Sequence, residues 1–600
     1  MVDCLGIERL ERSDEPPRVV GRIEREGYQI EKLVFEAVPG LPVPALLYLP
    51  DGRDGPVAAV VHAPGHWMEN AKLEPDLQRT NAWLARSGVA VLCYDTLGQG
   101  ERRIGWHQHG QLATLLVGFT TLAVMVAESR RALDLLCSRA EVDAGRLGIL
   151  GASGGGWSSI FTTALDERVQ AAAIACIANT HLGQIRAARG TGWDGAVCLC
   201  NQLPGLAALG SIAQIMALAA PRALLMANAV DDPPFPIEGA RRVAAELGEL
   251  YSAAGATEAF AYAEVSGGHG LRAQARAEAV SWLARRLGAG PVPEEAADER
   301  LLEAPYETTY GDDVSGGRRQ TFLRAPVRLE GECADAQLDS NGPLVTLARA
   351  RAARLRTFRP AVTRATVEEA LGPFPEPEPI ATFVHDRIAV PAGVAERISF
   401  LSEGETRLDA VLLLPATFAD DAPPVVVLLD EGGKAEALGS PEAERARALG
   451  CALFAPDVRG TGESACAEFE TVTAAWMVDR DALNQRVWDV LRSVECVRRR
   501  AVVGQQVDRG RIAVWGRGAF GLLALLAAAL DETIAGAGAS GFVSSLEELL
   551  VVDPPWTPML YRYRLLERLD VDDLAALVAP RPALISGVDD ALAELVERLG

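Results

Sequence analysis

The sequence predicts an α/β fold: two doubly wound, mostly parallel sheets in tandem, the second degenerate. Three observations carry this. From about residue 57 to residue 287, apolar runs of strand length alternate with stretches of helix length, the pattern of parallel strands covered on both faces. Four stretches of the first half recur, in the same order, in the second. One of them, Leu147–Gly156 (LGILGASGGG), has the form of a strand entering a very tight turn and then a helix.

Residues 1–30 read as a charged, partly helical lead-in. From Tyr28 the chain turns to strands, KLVFEAV and then PVPALLYLP, separated by Pro-Gly and Pro-Asp-Gly turn signals. VAAVVHA (57–63) reads as a buried strand, Asp76–Ser87 as a helix, VAVLCYD (89–95) as a strand, Leu112–Cys137 as a helix and RLGILG (146–151) as a strand. The helix after Ser153 leads to a strand over 169–178 and an irregular stretch to about residue 210. A strand (222–230), a helix (237–253), a strand (257–265) and a helix (271–287) complete the alternation. Residues 288–385 interrupt it with Pro, Glu, Asp, Arg and Gly, as a linker and small irregular or helical module whose best helix is Leu344–Arg356. The expected organisation is therefore 1–30 lead-in, 31–287 first sheet domain, 288–385 linker and module, and 386–600 second sheet domain.

The second domain reads as a copy of the first. VDAGRLGILGASGGG (142–156) lies against VDRGRIAVWGRGAFG (507–521) without a gap, and YDTLGQGER (94–102) against PDVRGTGES (456–464). AAPRALLMANAVDD (219–232) lies against VAPRPALISGVDD (578–590), and VAAVVHAPGH (57–66) against VVVLLDEGGK (425–434). Ser153 is matched by Gly518, only one helix follows Asp589-Asp590, and His385 is the sole histidine after residue 269. The second copy is expected to be non-catalytic.

Composition narrows the classes. A net charge of −23 argues against nucleic acid and anionic membrane surfaces as partners. No apolar run reaches transmembrane length, and the charged N-terminal stretch has no signal-peptide core. Ten cysteines without a compact framework read as reduced thiols, so a cytoplasmic location is expected.

The chemistry gathers on Ser153 in Gly151-Ala152-Ser153-Gly154-Gly155, a G-x-S-x-G elbow that exposes a serine above a sheet. A serine hydroxyl needs a base, and the base an orienting acid, in the chain order Ser, acid, His. His269, in a glycine-rich loop directly after a strand, is the base expected. The acid is expected where RALLMANAV ends, at Asp232, with Asp231 as the alternative. An oxyanion needs two aimed N–H donors. Gly154 supplies one; the loop after strand 57–63 supplies the other, from His66 or Trp67, which also line the substrate site.

These residues, with Pro-Gly-His-Trp (64–67) and Tyr94–Arg102, resemble the α/β-hydrolase superfamily, in its acetyl xylan esterase-like and dienelactone hydrolase-like branch. The resemblance covers about residues 30–287 well and 390–600 weakly. It makes 31–287 the catalytic domain and implies hydrolysis of a small acyl ester, an acetyl group on a carbohydrate among the candidates, through an acyl-enzyme on Ser153. The usual His-Gly pair of the oxyanion loop is here Pro64-Gly65.

Other signals weigh less. His62, His66, His107, His109 and His181 all follow strands and can gather on one edge of the sheet, with Cys198-Leu-Cys200 joining them, which makes a metal site conceivable; but these loops lack C-x-x-C or H-E-x-x-H spacing and the triad needs no metal, so neither a metal nor another cofactor is expected. Asp95 and Gly98-Gln99-Gly100 read as structural, and Trp67, Trp106, Trp157 and Trp193 as core packing before sugar stacking. Two other functions are open to this sequence. A prolyl-oligopeptidase-type peptidase shares the triad order, though no periodic β-propeller precedes it. A non-catalytic scaffold needs no triad.

Overall fold

Strands that must be dry on both faces are built from residues with nothing to hydrate, and Val57–Ala63 and Val89–Tyr94 are buried nearly throughout. The computed structural model describes the chain apart from residues 53–54, 68–69, 103–110, 184, 186–197, 202, 298, 303–341, 417–421, 467, 479, 505–506, 552–556, 587–590 and 600. Trp106, His107, His109, Trp193, Gly587, Asp589 and Asp590 lie outside the described residues.

The chain divides into two units, residues 1–114 with 119–346, and 115–118 with 347–600. The first holds strands β1 (Arg18–Arg25), β2 (Tyr28–Glu36), β3 (Pro42–Pro50), β4 (Val57–Ala63), β5 (Val89–Tyr94), β6 (Val142–Ala152), β7 (Val169–Ala175), β8 (Ala223–Ala229) and β9 (Phe260–Val265). Their order is β1-β2-β3-β5-β4-β6-β7-β8-β9, antiparallel through β3–β5 and parallel from β5 to β9. Beyond its first helical turns, the expected lead-in carries β1, a charged edge strand paired with β2. Its alternation of charged and apolar residues suits an edge that must not recruit another chain. The single helix expected over 112–137 is two, Ala113–Leu116 and Thr121–Cys137, with Gly118 at positive φ between them. Thr120 caps the second, its hydroxyl accepting from the Ala123 N–H.

Tandem mostly parallel α/β sheets are the observed architecture. The second unit holds β10 (Thr382–Val390), β11 (Gly393–Glu403), β12 (Thr406–Pro415), β13 (Val425–Leu429), β14 (Ala452–Pro456), β15 (Ile512–Arg517), β16 (Gly536–Ser540) and β17 (Ala583–Ser586). Their order, β10-β11-β12-β14-β13-β15-β16-β17, is that of the first sheet without a counterpart of β9 among the described residues. Helices Pro343–Phe358 and Arg364–Leu371 fall in the stretch expected to hold a small module.

The two sheets repeat contacts as well as order. Lys72 Nζ lies 2.5 Å from Asp95 and 2.6 Å from Glu101; Lys434 pairs with Asp457 and Glu463 in the same way. Asp143 accepts from the Gly145 N–H and pairs with Arg146, as Asp508 does with Gly510 and Arg511. The residue-by-residue match sets Lys434 under His66, yet in space Lys434 does the work of Lys72, because the loop after β13 is shorter. Among the described residues, no helix is long and apolar enough to cross a membrane.

Candidate active site

The carboxyl ends of β4 and β6 are neighbours, Ala63 pairing with Gly151, while β5 lies on the far side of β4. This reversal of winding opens a crevice at the carboxyl edge, where open α/β sheets hold their sites. Four loops leave that edge with the expected residues: His66 and Trp67 after β4, Ser153 after β6, Asp232 after β8 and His269 after β9.

Ser153 follows β6 with φ 56° and ψ −130°, a backbone conformation that a side chain makes unfavourable. Its N–H donates to Ala175 O at 3.0 Å, which ties the turn to β7. The helix Gly154–Leu165 starts at once, so close to the loop after β4 that a Cβ on Gly155 would lie 2.0 Å from Ala63 O. The same crowding presses that loop onto the serine: a Cβ on Gly65 would lie 2.7 Å from Ala152 O and 3.2 Å from Ser153 Cβ. Glycine at both positions is therefore a condition of the elbow.

His269 Nδ1 donates to Asp232 Oδ2 at 2.9 Å, and the Asp232 side chain is wholly buried. Asp231 is exposed, so of the two aspartates only Asp232 meets the imidazole. The His269 ring also stacks on Phe235, centroids 5.6 Å apart and planes 22° from parallel. Phe235 and Cys176 are additions to the residues expected from sequence. Cys176, at positive φ after β7, directs its thiol to Gly270 O at 3.5 Å; burial, with the Asp232 charge, pushes that thiol up to about 11. Phe235 could have been read from its place in Asp-Asp-Pro-Pro-Phe-Pro, whereas Cys176 carries no spacing signal.

The Trp67 N–H donates to Gln99 Oε1 at 2.7 Å, and Gln99 is fully buried. The half-buried Trp67 indole lies over Gly270, 3.4 Å from where a Cβ would stand, beside His269. The His66 ring covers Gly154: a Cβ there would lie 2.6 Å from His66 Cε1.

The remaining candidates separate. His62 is buried, with Nδ1 2.6 Å from Asn81 Oδ1, and burial pushes its pKa down to about 4. His181 Nε2 meets Gly210 O at 2.9 Å. Trp157 is fully buried, edge-on to Phe161. Asp95 is held by Lys72 and by the Glu101 N–H, a structural role. His66, Cys198 and Cys200, however, come together: their donor atoms lie within 4.8 Å of one another.

In the second unit, Gly518 follows β15 with φ 56°. The next amide, Ala519 N–H, donates to Glu431 Oε1 at 2.9 Å, and a Cβ on Gly518 would lie 2.8 Å from that oxygen.

Residues 22–178 match the family model described as acetyl xylan esterase (AXE1). A protein of Bacillus subtilis (strain 168) described as "Putative hydrolase YtaP" is 30% identical over 273 residues, 44% of this chain and 90% of that protein. Among solved structures, the methylesterase BT1017 is 23% identical with a TM-score of 0.42. That match covers 48% of this chain, and the chain spans 62% of the methylesterase's length. A glucuronoyl esterase from Solibacter usitatus is 15% identical with a TM-score of 0.37, over 47% of this chain and 91% of its own.

Proposed function

The chain belongs to the acetyl xylan esterase (AXE1) family, and on that premise we propose that it is a serine esterase cleaving small acyl esters, acetyl foremost, from a carbohydrate or similar alcohol. The observation that carries this reading is the bond from His269 Nδ1 to the buried Asp232, at the edge where the strained turn presents Ser153.

In this reading Ser153 Oγ attacks the ester carbonyl while His269 Nε2 takes the hydroxyl proton. Asp232 fixes the tautomer and steadies the imidazolium. The N–H groups of Gly154 and His66 meet the oxyanion, because that of Trp67 is committed to Gln99. His269 returns the proton to the leaving alcohol, and water, activated by the same imidazole, releases the acid. The half-buried Trp67 indole beside His269 gives an apolar surface suited to a short acyl group. The second unit, with glycine in place of serine, has no part in the chemistry.

The test is a panel of nitrophenyl esters of rising acyl length and an acetylated xylo-oligosaccharide, given to wild type and Ser153→Ala, with fluorophosphonate labelling alongside. Acetyl esters should be fastest, and only wild type should turn over and label. Wild-type protein that neither labels nor cleaves any ester overturns the reading.

A further inference from the structure

We propose that His66, Cys198 and Cys200 form a binding site for a thiophilic d¹⁰ cation, zinc above all, on the wall of the active site. Cys200 Sγ lies 3.1 Å from His66 Nε2 and 3.2 Å from Cys198 Sγ. Two thiolates and an imidazole are the donors zinc selects, at about 2.3 Å for sulfur and about 2.0 Å for nitrogen. A tetrahedral ion with those bond lengths sets two sulfurs about 3.7 Å apart, and a sulfur and a nitrogen about 3.6 Å apart. Both separations from Cys200 are thus within roughly half an ångström of coordinating values, all three donors lie within 4.8 Å of one another, and rotations of the side chains would admit the ion. The two sulfurs are well beyond the ~2.04 Å of a disulfide.

The chemistry of the site agrees. Binding would release one proton from each thiol, bind the neutral imidazole through Nε2, and leave a fourth position for water. Sequence spacing gave no warning, because the imidazole stands more than 130 residues before the thiols in the chain and C-x-C is not the usual zinc spacing.

The position gives the ion a task. His66 lies on Gly154, the residue after Ser153, and an ion on Nε2 would pin that ring and the loop that carries it. The cation is thereby a positioning element: it stiffens the loop and touches neither the serine nor the ester. This effect on turnover rests on the esterase reading; the binding itself does not.

The experiment uses the full chain, purified with reductant and stripped by chelator. Competition with a chromogenic chelator and metal analysis should find one zinc per chain, and cobalt(II) should give thiolate-to-metal charge-transfer absorption. Cys198→Ser and Cys200→Ala should each weaken zinc by more than the roughly 100-fold that loss of an outer-shell partner costs. Both should keep the wild-type circular dichroism and basal turnover of nitrophenyl acetate. Zinc should change kcat for that ester in wild type and leave it unmoved in both variants. Reduced wild type that takes up no zinc, or variants that bind it as tightly as wild type, overturn the proposal. So does a Cys198–Cys200 disulfide that persists under reductant and excludes the metal. An enzyme inactive with or without zinc would count against the esterase reading alone.

Discussion

Ser153 and Gly518 turn the backbone through the same angle, φ 56° at each, one residue past the ends of β6 and β15. The elbow thus outlives its nucleophile. The glycine adopts this angle freely, whereas the serine holds it against its own Cβ.

Ser153→Gly should therefore separate stability from activity. Turnover of nitrophenyl acetate should fall by at least about 10⁴-fold. Thermal unfolding of the first unit should move upward, by the equivalent of about 1 kcal/mol for relief of one unfavourable backbone angle. A lowered Tm would show that the serine is not strained, and retained turnover would remove it from the chemistry.

Asp232→Asn should lower kcat/KM on the same ester by about 10⁴-fold, because an amide holds the imidazole in the wrong tautomer. Asp231→Asn, altering an exposed neighbour, should leave kcat/KM within about threefold of wild type, as surface changes away from a site do. Equal losses in the two variants would contradict the role given to the 2.9 Å bond.

Gln99→Leu keeps the volume and removes the shorter of the two bonds from the Trp67 N–H, leaving the one to Gly65 O at 3.1 Å. One neutral hydrogen bond is worth about 0.5–1.5 kcal/mol. The loop should relax, and kcat should fall by up to roughly tenfold if that energy is lost from positioning of the oxyanion donor. Steady-state kinetics check this; an unchanged kcat would mean that the loop is held by other contacts.

His62 makes stability depend on pH. Burial lowers its pKa from 6.5 to about 4, so the folded chain keeps the ring neutral where the unfolded chain binds a proton. The unfolded state then gains protons first as pH falls, and stability should decline from about pH 6.5 to about pH 4, by up to about 3 kcal/mol, and level off below. His62→Gln should show a shallower decline of Tm over that window. An identical slope would assign the acid sensitivity to other groups.

Much of this was legible in the sequence, for physical reasons. The β6 turn could be read because only glycine tolerates the contacts around Gly155, and Asp232 because the chain must enter the next helix soon after it. The repeat was legible because a buried strand and its turn tolerate few residue types. Other features were not. Gln99 and Cys176 act through contacts with groups remote in the chain, and no spacing rule joins them. The gathering of His66 with Cys198 and Cys200 depends on how a loop lies across the sheet edge. The β1 strand falls within the expected lead-in because its charges, which suit an edge, imitate those of a surface segment.

The carboxylate of Glu431 against the Ala519 amide bears on the history of the second half. In an active elbow that amide would greet a negative charge for the fleeting life of an intermediate; here it has a permanent anionic tenant. Reinstalling a hydroxyl at position 518 would consequently revive nothing, since any carbonyl arriving there would find its berth taken. The Glu431 carboxylate adds to what this half already lacks, a serine at position 518 and any histidine after residue 385.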